Sequence, residues 1–129
     1  MNLYECKLGD NVFVGPFVEI TKGVEIGNNT RISSHSFVCE LVIIGKNCFI
    51  AHGVMFTNDL FKKGALGGNA SNWLPTNIGD NVLIGSNSTI LPVKIISGCV
   101  IGAGSVVTRD CLIKGIYAGN PAKLLRKLD

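Results

Sequence analysis

Leu8-Gly9-Asp10-Asn11-Val12-Phe13-Val14-Gly15-Pro16-Phe17-Val18-Glu19-Ile20 carries an aliphatic residue that returns at every sixth place. The column continues through Ile26, Ile32, Val38, Ile44 and Ile50 to Phe56. It resumes at Ile78, Ile84 and Ile90, and again at Ile101, Val107 and Ile113. Two further columns keep step with it. The residue after the aliphatic is glycine at Gly9, Gly15, Gly27, Gly45, Gly79, Gly85 and Gly102. The fifth place is small or β-branched, as at Val12, Val18, Val24, Thr30, Ser36, Cys48, Val82 and Ser88. Each six-residue unit gives one short strand and one corner, so three units close an 18-residue turn with three flat sides. The aliphatic and fifth-place columns point inward and stack as ladders in a continuous core. Glycine in the second place suits a tight corner or a backbone that something approaches closely. The expected fold is all-β: a parallel β-helix of about five coils over residues 1–117.

Composition agrees with this reading and excludes others. The chain has 129 residues, room for one domain. Its sixteen glycines exceed the usual share of about 7%, and 16% charged residues fall short of the usual ~25%. Abundant Ile and Val exclude a disordered tail and disfavour a helical bundle, which would be rich in Ala, Leu, Glu and Lys. A net charge of +3 without a dense basic stripe disfavours nucleic acid. No apolar window is long enough to span a membrane. Met1 to Cys6 lacks the charged start and apolar run of a signal peptide. Five cysteines, an odd count without a C-x-x-C pair, suggest a reduced, cytoplasmic setting. Cys6, Cys48 and Cys111 fall in the small inward fifth place, Cys99 joins them if a hexad starts at Ile95, and Cys39 takes the glycine place, so they read as core residues.

The six-residue beat breaks in three places. Residues from about 57 to 77 are rich in Gly and Asn, carry the single Trp73 and have no rhythm. They read as a loop thrown out from a corner, able to cover a neighbouring subunit. The step from Ile90 to Ile101 is one residue short, at Leu91-Pro92-Val93-Lys94. After Tyr117, Ala118-Gly119-Asn120-Pro121-Ala122 leads into Lys123-Leu124-Leu125-Arg126-Lys127-Leu128. Pro121 suits a helix start, so 118–129 is expected to form a short C-terminal capping helix. Its basic side could also meet phosphate through Lys123 or Arg126.

The two histidines, His35 and His52, both fall in outward places of adjacent coils. Their alternative reading is as surface or subunit-interface residues. His52 is favoured as functional because Gly53 to Asp59 run from it into the loop, where Asn58 and Asp59 could bind a polar amine or hydroxyl. Catalytic zinc wants three protein ligands, and two separated histidines do not supply them, so no metal is expected.

Together with these columns, Ile101-Gly102-Ala103-Gly104-Ser105-Val106-Val107-Thr108 and Ala118-Gly119-Asn120-Pro121-Ala122-Lys123 resemble the hexapeptide-repeat acyltransferases. Ser34-His35-Ser36-Phe37-Val38-Cys39-Glu40 and His52-Gly53-Val54-Met55-Phe56-Thr57-Asn58-Asp59 are similar to the sugar-nucleotide 3-N-acetyltransferases of that superfamily. The resemblance implies a left-handed coil, an exception to the right-handed crossover rule. It also implies acetyl-CoA as cosubstrate, a nucleotide-linked amino sugar as acceptor, and a homotrimer with sites between subunits. On that basis His52 is the expected base or amine-binding residue and Asn58 the residue that orients the amine. His35, Asn58 and Asp59 are expected to contact substrate. For the coenzyme, Gly85-Ser86 and Gly102-Ala103 should stack on one face and offer backbone amides in line. Lys123 and Arg126 are the expected phosphate partners. If Ile78 resumes on the face directly after Phe56, the coenzyme lane and the histidines share a side; a hexad hidden in the loop would separate them.

An imidazole, which ordinarily titrates near pH ~6.5, can accept the amine proton, and backbone N–H groups can hold the oxyanion. The alternative is an O-acetyltransferase of a small hydroxyl acceptor, which needs a base more than an amine does. A non-enzymatic β-helical scaffold is disfavoured, because a surface binder would repeat one outward residue along a face and this chain does not.

Overall fold

The computed structural model describes residues 1–62, 64 and 70–129. Its strands, numbered in chain order, form the three walls of a prism. The first face stacks β1 (Asn2–Leu3), β4 (Glu19–Ile20), β7 (Phe37–Val38), β10 (Met55–Phe56), β13 (Thr89–Ile90) and β16 (Val106–Val107). The second stacks β2 (Lys7–Leu8), β5 (Glu25–Ile26), β8 (Val42–Ile44), β11 (Thr76–Ile78) and β14 (Lys94–Ile95). The third stacks β3 (Phe13–Val14), β6 (Arg31–Ile32), β9 (Phe49–Ile50), β12 (Leu83–Ile84), β15 (Val100–Ile101), β17 (Gly115–Gly119) and β18 (Ala122–Lys127). All neighbours are parallel except β17 and β18. This is a left-handed parallel β-helix. Six strands on the first face make about six turns, one more than the hexad count suggested.

The register explains the columns. Ile32, Ile50, Ile84 and Ile101 sit directly on one another and are 0% exposed. Each such side chain contributes about 1.5–3 kcal/mol by leaving water. The fifth place carries hydroxyls where the corner needs them. Thr30 Oγ1 donates to the Gly45 carbonyl (2.7 Å) and accepts from the Cys48 N–H (3.1 Å). Ser36 does the same with the Ala51 carbonyl (2.9 Å) and the Val54 N–H (3.1 Å). These bonds tie successive coils at their corners.

Glycine in the second place serves close approach rather than the turn itself. A Cβ on Gly27 would lie 2.6 Å from the backbone of Gly45 and Lys46 in the next coil. The left-handed backbone falls two places later, at Asn11, Asn29, Asn47 and Asn81 (φ between 56° and 62°). Asparagine tolerates that conformation better than most side chains.

The loop leaves the first face after β10 and the chain re-enters on the second at β11, so no hexad is hidden among the described residues. Its feet are tied: Asn58 Nδ2 donates to the Glu40 carbonyl (3.1 Å), and the Leu74 N–H donates to the Asn58 carbonyl (2.8 Å). Residues 63 and 65–69 of the expected 57–77 loop lie outside the described residues.

The C-terminal end differs from expectation. Residues 122–127 form strand β18, antiparallel to β17, and not a helix. Exposure alternates along Ala122, Lys123, Leu124 and Leu125, which is strand period rather than helical period. Gly115 permits the close return, since a Cβ there would lie 2.5 Å from Leu124 Cδ1 and 2.6 Å from the Arg126 carbonyl. The beat also stops earlier than its columns imply. Ile113 is 45% exposed, and Tyr117 takes the core place, its hydroxyl donating to the Ile113 carbonyl (2.6 Å). The hairpin makes the adjacent leucines unequal, Leu124 half-buried and Leu125 exposed. Leu124→Ala should cost about 1–2 kcal/mol in urea unfolding and Leu125→Ala under about 0.5 kcal/mol, where a capping helix would not impose that order.

Candidate functional site

The corner between the third and first faces gathers the chemistry. Its third-place column runs Pro16, Ser34, His52, Ser86 and Ala103, one residue per coil. Its fourth-place column runs Phe17, His35, Gly53, Asn87 and Gly104, all with positive φ (60° to 69°). The histidines therefore hold successive places, not the same one, and project differently. Both are exposed.

His52 is clamped by its main chain. Its N–H donates to Ser86 Oγ (3.2 Å), and its carbonyl accepts from the Asn87 N–H (2.8 Å). Its Nδ1 lies 2.8 Å from Ser34 Oγ, one coil below. The Nε2 has no partner among the described residues. His52 lines a depression of about 340 Å³ walled by Phe13, Pro16, Arg31, Ser34 and Phe49. The Arg31 guanidinium lies over the Phe13 ring, 4.1 Å from its centroid, a cation–π contact that holds it in this wall. Ser34, Arg31, Phe13 and Phe49 were not singled out from sequence. The available signal was the 18-residue step from Ser34 to His52 and from Arg31 to Phe49.

On the other side of His52 the same corner continues as a lane without bulky side chains. Gly85 packs against the Ala103 backbone, and a Cβ on Gly102 would lie 3.0 Å from Ala118 Cβ. The expected stacking of Gly85-Ser86 on Gly102-Ala103 is present, on the side that carries His52. Lys123 pairs with Ala118 at the end of this lane, whereas Arg126 pairs with Ile116 further back along β17. Both are exposed.

The other expected residues lie apart. His35 stacks on Phe17 (centroids 5.0 Å, 29° between planes), with Phe17 73% exposed in a left-handed conformation unusual for an aromatic. Asn58 and Asp59 sit beyond the far end of β10, at the corner between the first and second faces. They line a separate depression of about 280 Å³ with Phe37, Met55 and Phe61. Asp59 Oδ1 accepts the Phe61 N–H (2.7 Å). Among the described residues, His52 and Asn58 line different depressions.

Among the described residues no three His, Cys, Asp or Glu converge as a metal site, and no helix is long and apolar enough to cross a membrane. The cysteines are free thiols. Burial pushes Cys39 up to about 11 and Cys111 up to about 12, and raises Cys48 and Cys99 as well. A buried thiol that stays protonated is a poor nucleophile. Only the half-buried Cys6 should react promptly with a thiol reagent in the native protein at mildly alkaline pH, and all five after unfolding. Rapid native labelling of Cys39 or Cys111 would contradict this.

Comparison with known proteins bears on the fold. Residues 5–40 match the bacterial transferase hexapeptide (six repeats), and residues 75–109 match the hexapeptide repeat of succinyl-transferase. The bifunctional protein GlmU of Limosilactobacillus fermentum is 38% identical over 84 residues, which cover 65% of this chain and 16% of that protein. A galactoside acetyltransferase solved in complex with coenzyme A superimposes with a TM-score of 0.84 at 33% identity, covering 95% of this chain and 65% of that one. A maltose O-acetyltransferase from Clostridium difficile 630 gives 0.81 at 27% identity, covering 95% and 70%. The chain thus spans a small part of the curated relative and about two-thirds of these enzymes.

Proposed function

Because the chain belongs to the hexapeptide-repeat transferase family, we propose that it is an acetyltransferase using acetyl-CoA, with the amino group of a nucleotide-linked deoxy-amino sugar as acceptor. The observation that carries this reading is the corner around His52. His52, whose Nε2 has no partner among the described residues, stands between a walled depression on one side and a lane of Gly85, Ser86, Gly102 and Ala103 on the other. The depression suits an acceptor and the lane an extended thioester arm, with Lys123 at its end as a point charge for phosphate.

In the reaction the acceptor nitrogen attacks the thioester carbonyl carbon and a tetrahedral oxyanion forms. Collapse breaks the C–S bond and leaves an amide. The nitrogen's proton passes to His52 Nε2 or to the departing thiolate, so the base is helpful rather than indispensable. Along the lane the Gly85 and Gly102 N–H groups already donate to the Ile101 and Tyr117 carbonyls (2.8 Å each), which leaves the N–H groups of Ser86 and Ala103 as the oxyanion donors. The acceptor's sugar hydroxyls and amine fall to His35, Asn58 and Asp59. Since His52 and Asn58 lie at opposite ends of β10, they meet at one acceptor only across two chains.

That requirement favours a homotrimer with sites between subunits. The third face offers the surface: its outward column is Phe13, Arg31, Phe49, Leu83, Val100 and Ile116, and Phe13, Phe49 and Leu83 are each about 40% exposed. The second face instead shows Lys7, Glu25, Ile43, Asn77 and Lys94. Light scattering should report three chains per particle, and Phe49→Lys should shift the mass towards one. A monomeric parent protein would contradict the arrangement.

Hydroxyl acetylation is the second reading, favoured by the likeness to a maltose O-acetyltransferase. His52→Ala separates the two. An amine acceptor predicts a loss in kcat of about 10²-fold or less, and a hydroxyl acceptor a loss near or beyond 10⁴-fold. The first test is thermal shift with coenzyme A, followed by acetyl-CoA turnover against a panel of dTDP- and UDP-amino sugars. No stabilisation by coenzyme A at any concentration would overturn both readings.

A further inference from the structure

We propose that Ser34 is a positioning residue for His52. It holds the neutral imidazole as the Nδ1–H form, so that Nε2 presents its lone pair to the acceptor depression. This rests on the reading of His52 as a proton acceptor. The juxtaposition comes from the fold, since an 18-residue step is one full turn and sets Ser34 directly below His52. Both backbones are held. The Ser34 carbonyl accepts the Gly53 N–H (2.9 Å), and His52 is bonded to Ser86 and Asn87 in the coil above. The two side chains therefore face each other across 2.8 Å from fixed bases.

The imidazole needs this contact. His52 is exposed, and Ser34 Oγ is the one side-chain partner of its ring among the described residues. An unpartnered neutral imidazole favours the form with hydrogen on Nε2, which leaves the outward nitrogen without a lone pair. Which nitrogen carries the proton is set by the bond the other one makes. A serine hydroxyl has two acceptor lone pairs and one hydrogen, so it can take Nδ1–H while its own hydrogen turns to solvent or ligand. Ser34 is only half-buried, which leaves that hydrogen an outlet. When Nε2 takes the acceptor's proton, the Nδ1–H···Oγ bond persists unchanged. A neutral partner also adds no charge to trap the imidazolium, so the proton is readily released. Ser86, the other hydroxyl in the column, accepts the His52 main-chain N–H (3.2 Å) and makes no bond to the ring among the described residues.

The chain's two histidines make the test direct. Long-range ¹H–¹⁵N spectra of histidine-labelled protein at alkaline pH report each ring's tautomer, and His35→Gln assigns the signals. The expected result is Nδ1–H for His52 in the parent protein and predominantly Nε2–H in Ser34→Ala. In turnover, Ser34→Ala should lower kcat about tenfold with KM for acetyl-CoA unchanged. Ser34→Thr should restore both the tautomer and the rate. An Nε2–H ring in the parent protein, as a hydroxyl donating to Nδ1 would give, overturns the proposal. So does a tautomer indifferent to Ser34→Ala, or an unchanged kcat. Full turnover in His52→Ala overturns the proton-acceptor reading instead, and with it the catalytic consequence, whatever the spectra show.

Discussion

Coil-on-coil contact at the corners is the constraint on which everything else depends. Three short strands per turn bury little each; they hold only because every coil lies in register on the next. That contact excludes a Cβ at Gly27, Gly45, Gly79 and Gly85, each of which would strike the backbone of the coil above. It also asks for hydroxyls at Thr30 and Ser36 that bond two coils at once. Parallel sheets gain from such burial on the inner side, and here all three inner sides share one narrow core. Register is therefore fixed residue by residue, and with it the position of every outward side chain.

The same register writes the candidate site. A residue's neighbours in space are those one turn away in sequence, so Pro16, Ser34, His52, Ser86 and Ala103 become one line. Phe13, Arg31 and Phe49 of the adjoining third face wall a depression beside the start of that line, and small residues at its end leave the lane without bulk. His52 stands at the change. The missing residue near Pro92 shortens one corner and turns the 18-residue step into 17, yet Ser86 and Ala103 stay aligned because the strands on either side keep pairing. The insertion after Thr57 is absorbed in the same way, with its feet tied at Asn58 and Leu74.

The core was legible because one inward column of aliphatics cannot be mistaken once its period is seen. Cys48, Cys99 and Cys111 were legible for the same reason: each is buried. Two features were not. The C-terminal segment has the leucine spacing of a short amphipathic helix, and only the closing of the coil reveals that β17 offers an edge that residues 122–127 can pair with. The partner of His52 was hidden because the histidines drew attention to each other. One turn back from His52 is Ser34 and not His35, so the two imidazoles occupy different columns. Asn58 follows His52 closely in sequence, yet a strand of this prism carries the chain across a whole face in a few residues, so the two line different depressions.

If the corner at His52 is where the thioester sits, its ring must sense the coenzyme. Histidine side-chain NMR during titration with coenzyme A tests this without any knowledge of the acceptor. The expected result is a saturable shift of the His52 signals that levels off at one coenzyme per chain. Saturable binding that leaves His52 unmoved would contradict it.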